Sequence, residues 1–193
     1  MGDLGVGVGQ LANLERLRVV CFGLYRIGDA GACSFGLNLQ RLSRLMDIDL
    51  NFYRTGLGDQ GLNGIGRGLA GLGNLVALHL DCRYCSAIGD ASFTQDFGRG
   101  LGKQGLLQRL RLDFGGCTNV SDEGLRGLSC GLEALGQLES LRLDFGDCPH
   151  IGGGGLRCVA RALSGRLAGE SCAHREVSLA GSGCGQGDGA AMQ

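Results

Sequence analysis

Apolar residues recur along this chain in short alternating runs at a nearly constant interval. Five runs place an apolar residue at every second position, and their first residues are separated by 31, 30, 32 and 31 residues. Alternation with a period of two is typical of a β-strand that buries one face. It predicts five short strands near residues 17–20, 48–51, 78–81, 110–113 and 141–144. The inward positions form three columns: Leu17, Ile48, Leu78, Leu110 and Leu141; Val19, Leu50, Leu80, Leu112 and Leu143; Cys21, Phe52, Cys82, Phe114 and Phe145.

The second half of each repeat has a different period. Apolar residues there lie three and four positions apart, which is the spacing of one helix face. The clearest examples are Leu62, Ile65, Leu69 and Leu72, and Leu125, Leu128, Leu132 and Leu135. The turn before each helix carries an aspartate in four copies (Asp29, Asp59, Asp90 and Asp122) and Gly153 in the fifth. Because a carboxylate accepts hydrogen bonds from the free N–H groups of a helix start, each aspartate is predicted to cap its own helix.

A single strand–helix unit cannot bury its apolar face alone, so the repeats are expected to stack around one continuous core. This arrangement is an α/β fold with parallel strands along one side and helices along the other. Helices are wider than strands, and the stack is therefore expected to bend. The strands then line the concave face and the helices the convex face.

The segment Leu107–Leu125 follows the pattern L-x-x-L-x-L-x-x-x-x-C-x-x-I-x-D-x-G-L, with Val120 at the isoleucine position. The pattern resembles the leucine-rich-repeat superfamily, in particular its ribonuclease-inhibitor-like and cysteine-containing types. The resemblance covers roughly residues 4–167 and implies a horseshoe-shaped solenoid that recognises proteins. We expect a leucine-rich-repeat domain over residues 1–167, with about five repeats and a partial one at the N-terminus. Residues 168–193 form a degenerate Gly- and Ser-rich tail, which is predicted to be disordered.

Charge and hydropathy narrow the classes of function. The formal net charge is −1, which argues against a general nucleic-acid or membrane-surface binder. The sequence has no unbroken apolar run long enough for a transmembrane span, and its first residues lack the features of a secretory signal. We therefore expect a protein of the cytoplasm, or of the nucleus, that contacts neither nucleic acid nor membrane.

Residues that could carry chemistry fit the repeat better than a catalytic site. Cys85, Cys117 and Cys148 share one column of the repeat and Cys82 occupies the phenylalanine column, so these cysteines are predicted to lie in the core rather than to bind a metal. Two G-x-G-x-x-G matches, Gly66–Gly71 and Gly100–Gly105, do not stand between a strand and a helix. His79 and Asp81 could form an acid–base pair, but the repeat places no nucleophile beside them. The sequence thus predicts a protein that is not an enzyme and needs no cofactor or metal.

Alternation also fixes which strand residues point away from the core. These outward positions carry five arginines and five aspartates, ordered basic, acidic and basic along the stack. Asp81, Asp113 and Asp144 would stand about 5 Å apart and repel one another unless a charge counters them. Arg111 and Arg142 could do so, giving a self-neutralising ladder. The alternatives are a patch that binds a partner, or a cation bound on the aspartate column.

The predicted function is a non-enzymatic protein–protein interaction module that binds its partner on the concave face. On the last two strands, three arginines (Arg109, Arg111 and Arg142) outnumber two aspartates (Asp113 and Asp144). This excess of positive charge favours an acidic or phosphorylated partner. Two alternatives are the substrate receptor of an F-box-type ubiquitin ligase and a GTPase-activating protein of the ribonuclease-inhibitor-like kind. The predicted partner-binding residues are Arg109, Arg111, Arg142, His79, Asp81, Asp113 and Asp144.

Overall fold

A single parallel sheet organises the molecule. The computed structural model describes residues 2–164 and 177–180. Six strands pair in chain order, each in register with the next. They are β1 (Arg16–Val20), β2 (Asp47–Asn51), β3 (Ala77–Asp81), β4 (Arg109–Asp113), β5 (Ser140–Asp144) and β6 (Val177–Ala180). The five predicted strands are confirmed, and each begins one residue before the predicted start.

The sixth strand lies in the segment that the sequence assigned to a disordered tail. No apolar repeat predicted β6, yet it pairs in parallel with β5 through the register Leu141↔Val177 to Asp144↔Ala180. The rest of the predicted tail, residues 168–176 and 181–193, lies outside the described residues. The tail therefore contributes one strand to the sheet.

A helix follows each of the first five strands in the chain, and one more precedes β1. The helices are α1 (Gly2–Val8), α2 (Asp29–Leu39), α3 (Asp59–Leu69), α4 (Asp90–Thr94), α5 (Asp96–Gly102), α6 (Asp122–Glu133) and α7 (Gly153–Ser164). Each unit packs its helix against the helix of the next unit, as each strand pairs with the next strand. The fold is therefore an α/β stack of strand–helix units. Within the described part of the chain, no helix has the length and apolar character needed to cross a membrane.

The third unit, which begins with β3, departs from the predicted single helix, because Gln95 interrupts it between α4 and α5. Leu78 and Leu110 are 32 residues apart, the longest step in the repeat, so this unit has extra chain to accommodate. Asn63 of α3 stabilises the interruption. Its side-chain oxygen accepts a hydrogen bond from the N–H of Phe97, and its amide donates to the Gln95 side chain.

The core lies between the sheet and the helix layer. All three predicted inward columns are buried, and they join the buried helix residues in one cluster. Leu112 is fully buried, and the ring of Phe114 stacks on that of Phe145 at a centroid distance of 5.6 Å. The predicted alternation of inward and outward positions is therefore confirmed.

Buried cysteines connect neighbouring units instead of forming a separate site. The thiol of Cys85 donates a hydrogen bond to the carbonyl oxygen of Phe52 at 3.0 Å, and that of Cys117 to the carbonyl oxygen of Cys82 at 3.2 Å. Cys148 repeats the contact with the carbonyl of Phe114. Burial raises the pKa of the Cys117 thiol, so it remains protonated and can donate. The predicted core location of these cysteines is confirmed.

Glycines let neighbouring helices touch backbone to backbone. A Cβ atom on Gly36 of α2 would lie 2.1 Å from the carbonyl oxygen of Gly64 in α3. A Cβ atom on Gly100 of α5 would lie 2.0 Å from the carbonyl oxygen of Gly66 in α3. Any larger residue at these positions would push the two helices apart. Part of the high glycine content thus has a direct structural cause.

The turn aspartates do not cap their own helices, so that prediction is wrong. The N-cap positions are Gly28, Gly58, Gly89 and Ser121, and each aspartate is the first helical residue. The Asp29 carboxylate instead accepts hydrogen bonds from the N–H groups of Gly58, at 2.7 Å, and Gly61, at 2.9 Å. Both groups belong to the start of α3 in the following unit. The aspartate therefore caps the next helix and joins two units.

The same bond recurs along the stack. Asp59, Asp90 and Asp122 accept from the N–H groups of Gly89, Ser121 and Gly152 at 2.8, 2.7 and 2.7 Å. A Cβ atom on Gly124 would lie 2.6 Å from the Asp90 carboxylate oxygen. The glycine two residues after the aspartate therefore leaves room for the carboxylate of the preceding unit, which explains the D-x-G spacing.

We predict that Leu112→Ala lowers the free energy of unfolding by about 2–5 kcal/mol, because it leaves a cavity in a fully buried position. Urea denaturation measures the change. Leu106→Ala is the matched control, since Leu106 is an exposed leucine three residues before β4, and it should change stability by less than about 0.5 kcal/mol. Equal effects of the two variants would contradict the assignment of the inward columns.

We predict that Asp122→Ala costs about 1 kcal/mol at neutral pH, because the N-terminus of α7 loses its acceptor. Backbone hydrogen bonds from Gly152 and Gly155 lower the pKa of Asp122. Its contribution to stability is therefore present above the ordinary aspartate pKa of about 4 and is lost as the pH falls through the lowered value. The stability difference between wild type and variant should shrink in acid. Glu139→Ala, an exposed acid-to-alanine control, should show no such pH dependence.

Candidate functional site

The outward strand residues form a continuous polar surface, here called the open face. It consists of the first, third and fifth residues of β1–β5, which alternate with the core columns. Strand register arranges these residues in three rows that run across the sheet. The first row is Arg16, Asp47, Ala77, Arg109 and Ser140; the middle row is Arg18, Asp49, His79, Arg111 and Arg142; the last row is Val20, Asn51, Asp81, Asp113 and Asp144.

Five charged or ionisable side chains from four strands form one connected network across the open face. Arg18 Nε lies 3.0 Å from Asp49 Oδ2, and Asp49 Oδ1 lies 3.0 Å from His79 Nδ1. His79 Nε2 lies 3.2 Å from Asp113 Oδ2, which also accepts a hydrogen bond from Arg111 Nε at 2.7 Å. Of the self-neutralising ladder considered from the sequence, this network contains the pair of Arg111 and Asp113.

Asp113 occupies the centre of that network. It is 1% exposed, and its Oδ1 atom has no hydrogen-bond partner among the described residues. Burial raises the pKa of this carboxyl, but the hydrogen bonds from His79 and Arg111 outweigh burial, and the pKa is lowered overall. Asp113 is therefore a buried anion that fixes the positions of His79 and Arg111.

Asp81 is held by a residue that the sequence analysis did not single out. Arg83, two positions after it in the loop, contacts both carboxylate oxygens of Asp81, at 2.6 Å from Nη2 and 3.0 Å from Nε. The backbone N–H of Arg83 donates to the same carboxylate at 3.1 Å. Asp144 accepts from the N–H of Gly146 at 2.9 Å. The aspartate column is thus countered by Arg83 and Arg111, while the expected contribution of Arg142 is absent from the ion pairs of the described residues.

Arg109 and Arg142 differ from Arg111, which Asp113 engages. Both side chains are exposed, and no ion pair joins either of them to any described residue. They line a groove of about 360 Å³ on the open face. Its polar and charged lining residues are Asp47, Asp49, His79, Arg109, Arg111, Ser140 and Arg142. The groove therefore presents two unneutralised guanidinium groups to solvent.

The other predicted partner-binding residues have different surroundings. Arg111 and His79 line the groove but are engaged by Asp113. Asp81 and Asp113 are only 2% and 1% exposed, so they offer almost no area for a direct contact. The structure brings the predicted residues onto one face, but it gives the arginines and the aspartates different roles.

An exposed aromatic ridge lies beside the open face, and the sequence analysis missed it. Phe22 and Tyr53 directly follow the third inward column; their rings stack at a centroid distance of 4.9 Å. Tyr84 packs edge-on against Tyr53 at 5.6 Å, and the Arg83 guanidinium lies 5.3 Å from the Tyr53 ring centroid. The recurrence of Phe22 and Tyr53 at one position of the repeat was the available signal.

A metal site on the aspartate column has no support in this geometry. The described residues include no group of three or more His, Cys, Asp or Glu side chains that could hold a metal ion. Arg83 and Arg111 instead place guanidinium groups against Asp81 and Asp113. These carboxylates therefore act as partners of arginine.

We predict that Arg83→Ala lowers the free energy of unfolding by about 1–3 kcal/mol, because it leaves the buried Asp81 carboxylate without its guanidinium. The range allows for partial exposure of Arg83 to solvent. Arg142→Ala is the matched control on the same face and should change stability by less than about 0.5 kcal/mol. Chemical denaturation measures the free energy of unfolding of both variants. Similar losses in the two variants would contradict the distinction between engaged and free arginines.

Comparisons with known proteins do not assign this open face to a family. None of the models of known protein families matches the chain, and no curated protein matches it either. The function is therefore inferred from the groove, its two free arginines and the adjacent aromatic ridge.

Proposed function

We propose that this chain is a leucine-rich-repeat solenoid, with a bent, horseshoe-like stack, that acts as a protein–protein interaction module without catalytic activity. The support lies in the repeated unit. The units that begin with β2, β3, β4 and β5 each contain a strand with inward leucine or isoleucine residues, a turn whose cysteine or threonine contacts a strand-end carbonyl, and a helix. On the open face, side chains from successive strands form a continuous array.

The observation that carries the proposal is the pair of unneutralised arginines in the groove. Arg109 and Arg142 are exposed and have no ion-pair partner among the described residues, whereas nearby Arg83 and Arg111 are engaged. A guanidinium group binds carboxylates and phosphates through two parallel hydrogen bonds, and arginine is enriched in the energetic centres of interfaces. Two such groups on neighbouring strands suit an acidic or phosphorylated segment of a partner protein.

The aromatic ridge supports a protein partner over a small anion. Phe22 is 62% exposed and Tyr84 is 48% exposed, and both belong to the loops directly after the strands. Aromatic side chains are enriched in protein interfaces because they bury a large area at a small entropic cost. A partner that contacts the groove and the ridge together would bury both charged and apolar surface.

The surroundings of His79 argue for binding and against catalysis. Both ring nitrogens contact carboxylates, Asp49 on one side and Asp113 on the other. A general base needs a ring nitrogen that can reach the proton of a reacting group. His79 therefore serves to hold the surface together, which suits a preformed binding face.

The proposal can be tested with an array of synthetic peptides of equal length that are acidic, phosphoserine-containing, neutral or basic. The wild-type protein should bind the acidic and phosphorylated peptides. The double variant Arg109→Ala/Arg142→Ala should bind them about tenfold or more weakly, because two charge-assisted contacts are lost. Fluorescence anisotropy measures the affinities.

The double variant Arg41→Ala/Arg44→Ala is the matched control, because it removes two exposed arginines that lie outside the open face. It should retain wild-type affinity, and circular dichroism should show both variants folded. Equal losses in the two double variants would indicate a general charge effect and contradict the proposal. The proposal would also be contradicted if the wild-type protein bound acidic and phosphorylated peptides no more tightly than neutral or basic ones.

A further inference from the structure

Opposite charges face each other across the groove in its first row. The register runs Asp47 on β2, Ala77 on β3 and Arg109 on β4, so Ala77 separates the two charged residues. All three residues line the groove. The short side chain of Ala77 leaves the space between the carboxylate and the guanidinium open, whereas His79 fills the equivalent space in the middle row.

Neither charge of this pair is neutralised by a described residue. No ion pair or side-chain hydrogen bond joins Asp47 to a described residue, although Arg16 is its register neighbour on β1. Asp49, by contrast, contacts both Arg18 and His79. The groove therefore has one free carboxylate over β2 and two free guanidinium groups over β4 and β5.

Strand spacing sets the separation of the backbone positions that carry these charges. Neighbouring strands lie about 4.8 Å apart, so β2 and β4 are about 10 Å apart and β2 and β5 about 14 Å apart. An extended peptide advances about 3.3 Å per residue. A peptide that crosses the strands therefore spans these distances with about three to four residues.

We propose that the groove binds an extended segment of a partner protein that crosses the strands and carries two opposite charges at a matching spacing. The segment carries a basic side chain that pairs with Asp47 and, about three to four residues away, an acidic or phosphorylated side chain that pairs with Arg109 and Arg142. This inference rests on the proposed function and specifies the partner's charge pattern. A uniformly acidic segment of the same length would place a negative charge beside Asp47, and like charges at that distance repel.

The test uses two fluorescein-labelled peptides of identical composition. In the first, one lysine and one glutamate are separated by three neutral residues; in the second, the same two residues are adjacent. We expect the wild-type protein to bind the spaced peptide about three- to tenfold more tightly, because the spacing of its two charges matches the separation of β2 from β4 and β5. Fluorescence anisotropy gives both dissociation constants.

Asp47→Asn should remove this preference, so that the two peptides bind with similar affinity. Asp3→Asn is the control, because it removes one exposed carboxylate far from the sheet and should keep the preference. Thermal unfolding should show both variants as stable as the wild type.

A third peptide is the spaced peptide with glutamine in place of lysine. It separates this inference from the proposed function. Its binding should depend on Arg109 and Arg142 but not on Asp47. If wild type binds the spaced and adjacent peptides equally, or if Asp47→Asn keeps the preference, the inference is overturned while the acidic-partner proposal stands. If the double variant Arg109→Ala/Arg142→Ala binds all three peptides with wild-type affinity, the proposed function is contradicted as well.

Discussion

The spacing between parallel strands is the constraint on which the rest of this molecule depends. Backbone hydrogen bonds hold successive strands about 4.8 Å apart, whereas packed helices ordinarily lie about 8–10 Å apart. The core remains continuous only if neighbouring helices lie at a spacing close to that of the strands that they cover. Glycines such as Gly36 and Gly100 meet this requirement, because each lets its helix touch the backbone of a neighbouring helix. Close helix packing and sheet pairing therefore support the same stack.

Hydrogen bonds between neighbouring units also stabilise the stack. The turn aspartates cap the helix of the following unit, and the buried cysteines donate to carbonyl oxygens of the preceding one. The aspartates supply acceptors for N–H groups at helix starts, and the thiols add a hydrogen bond to carbonyl oxygens that already accept one from a turn N–H. The aspartate bonds recur from the first unit to the fifth, and the strands of these units keep one register. That register gives the open face its regular rows.

The open face uses its charges in two ways. Arg18, Asp49, His79, Asp113 and Arg111 neutralise one another and stiffen the surface, while Asp47, Arg109 and Arg142 face the groove without such partners. A preformed network lowers the cost of ordering side chains when a ligand binds. The engaged residues therefore shape the site, and the free residues supply the charges that a partner can meet.

The sequence by itself determined the three inward columns, the parallel strands and the residues of the open face, because these depend on a period of two and on a repeat of nearly constant length. It determined neither the aspartate contacts nor the division of the charges. Asp29 bonds to Gly58 and Gly61, about one full repeat away, and no local pattern indicates which helix a carboxylate reaches. Arg111 and Arg142 hold equivalent positions in neighbouring strands, yet Arg111 contacts Asp113 while Arg142 forms no ion pair with a described residue. Alternation decides the face on which a side chain lies, but the direction and reach of the side chain on that face are decided by its neighbours in three dimensions.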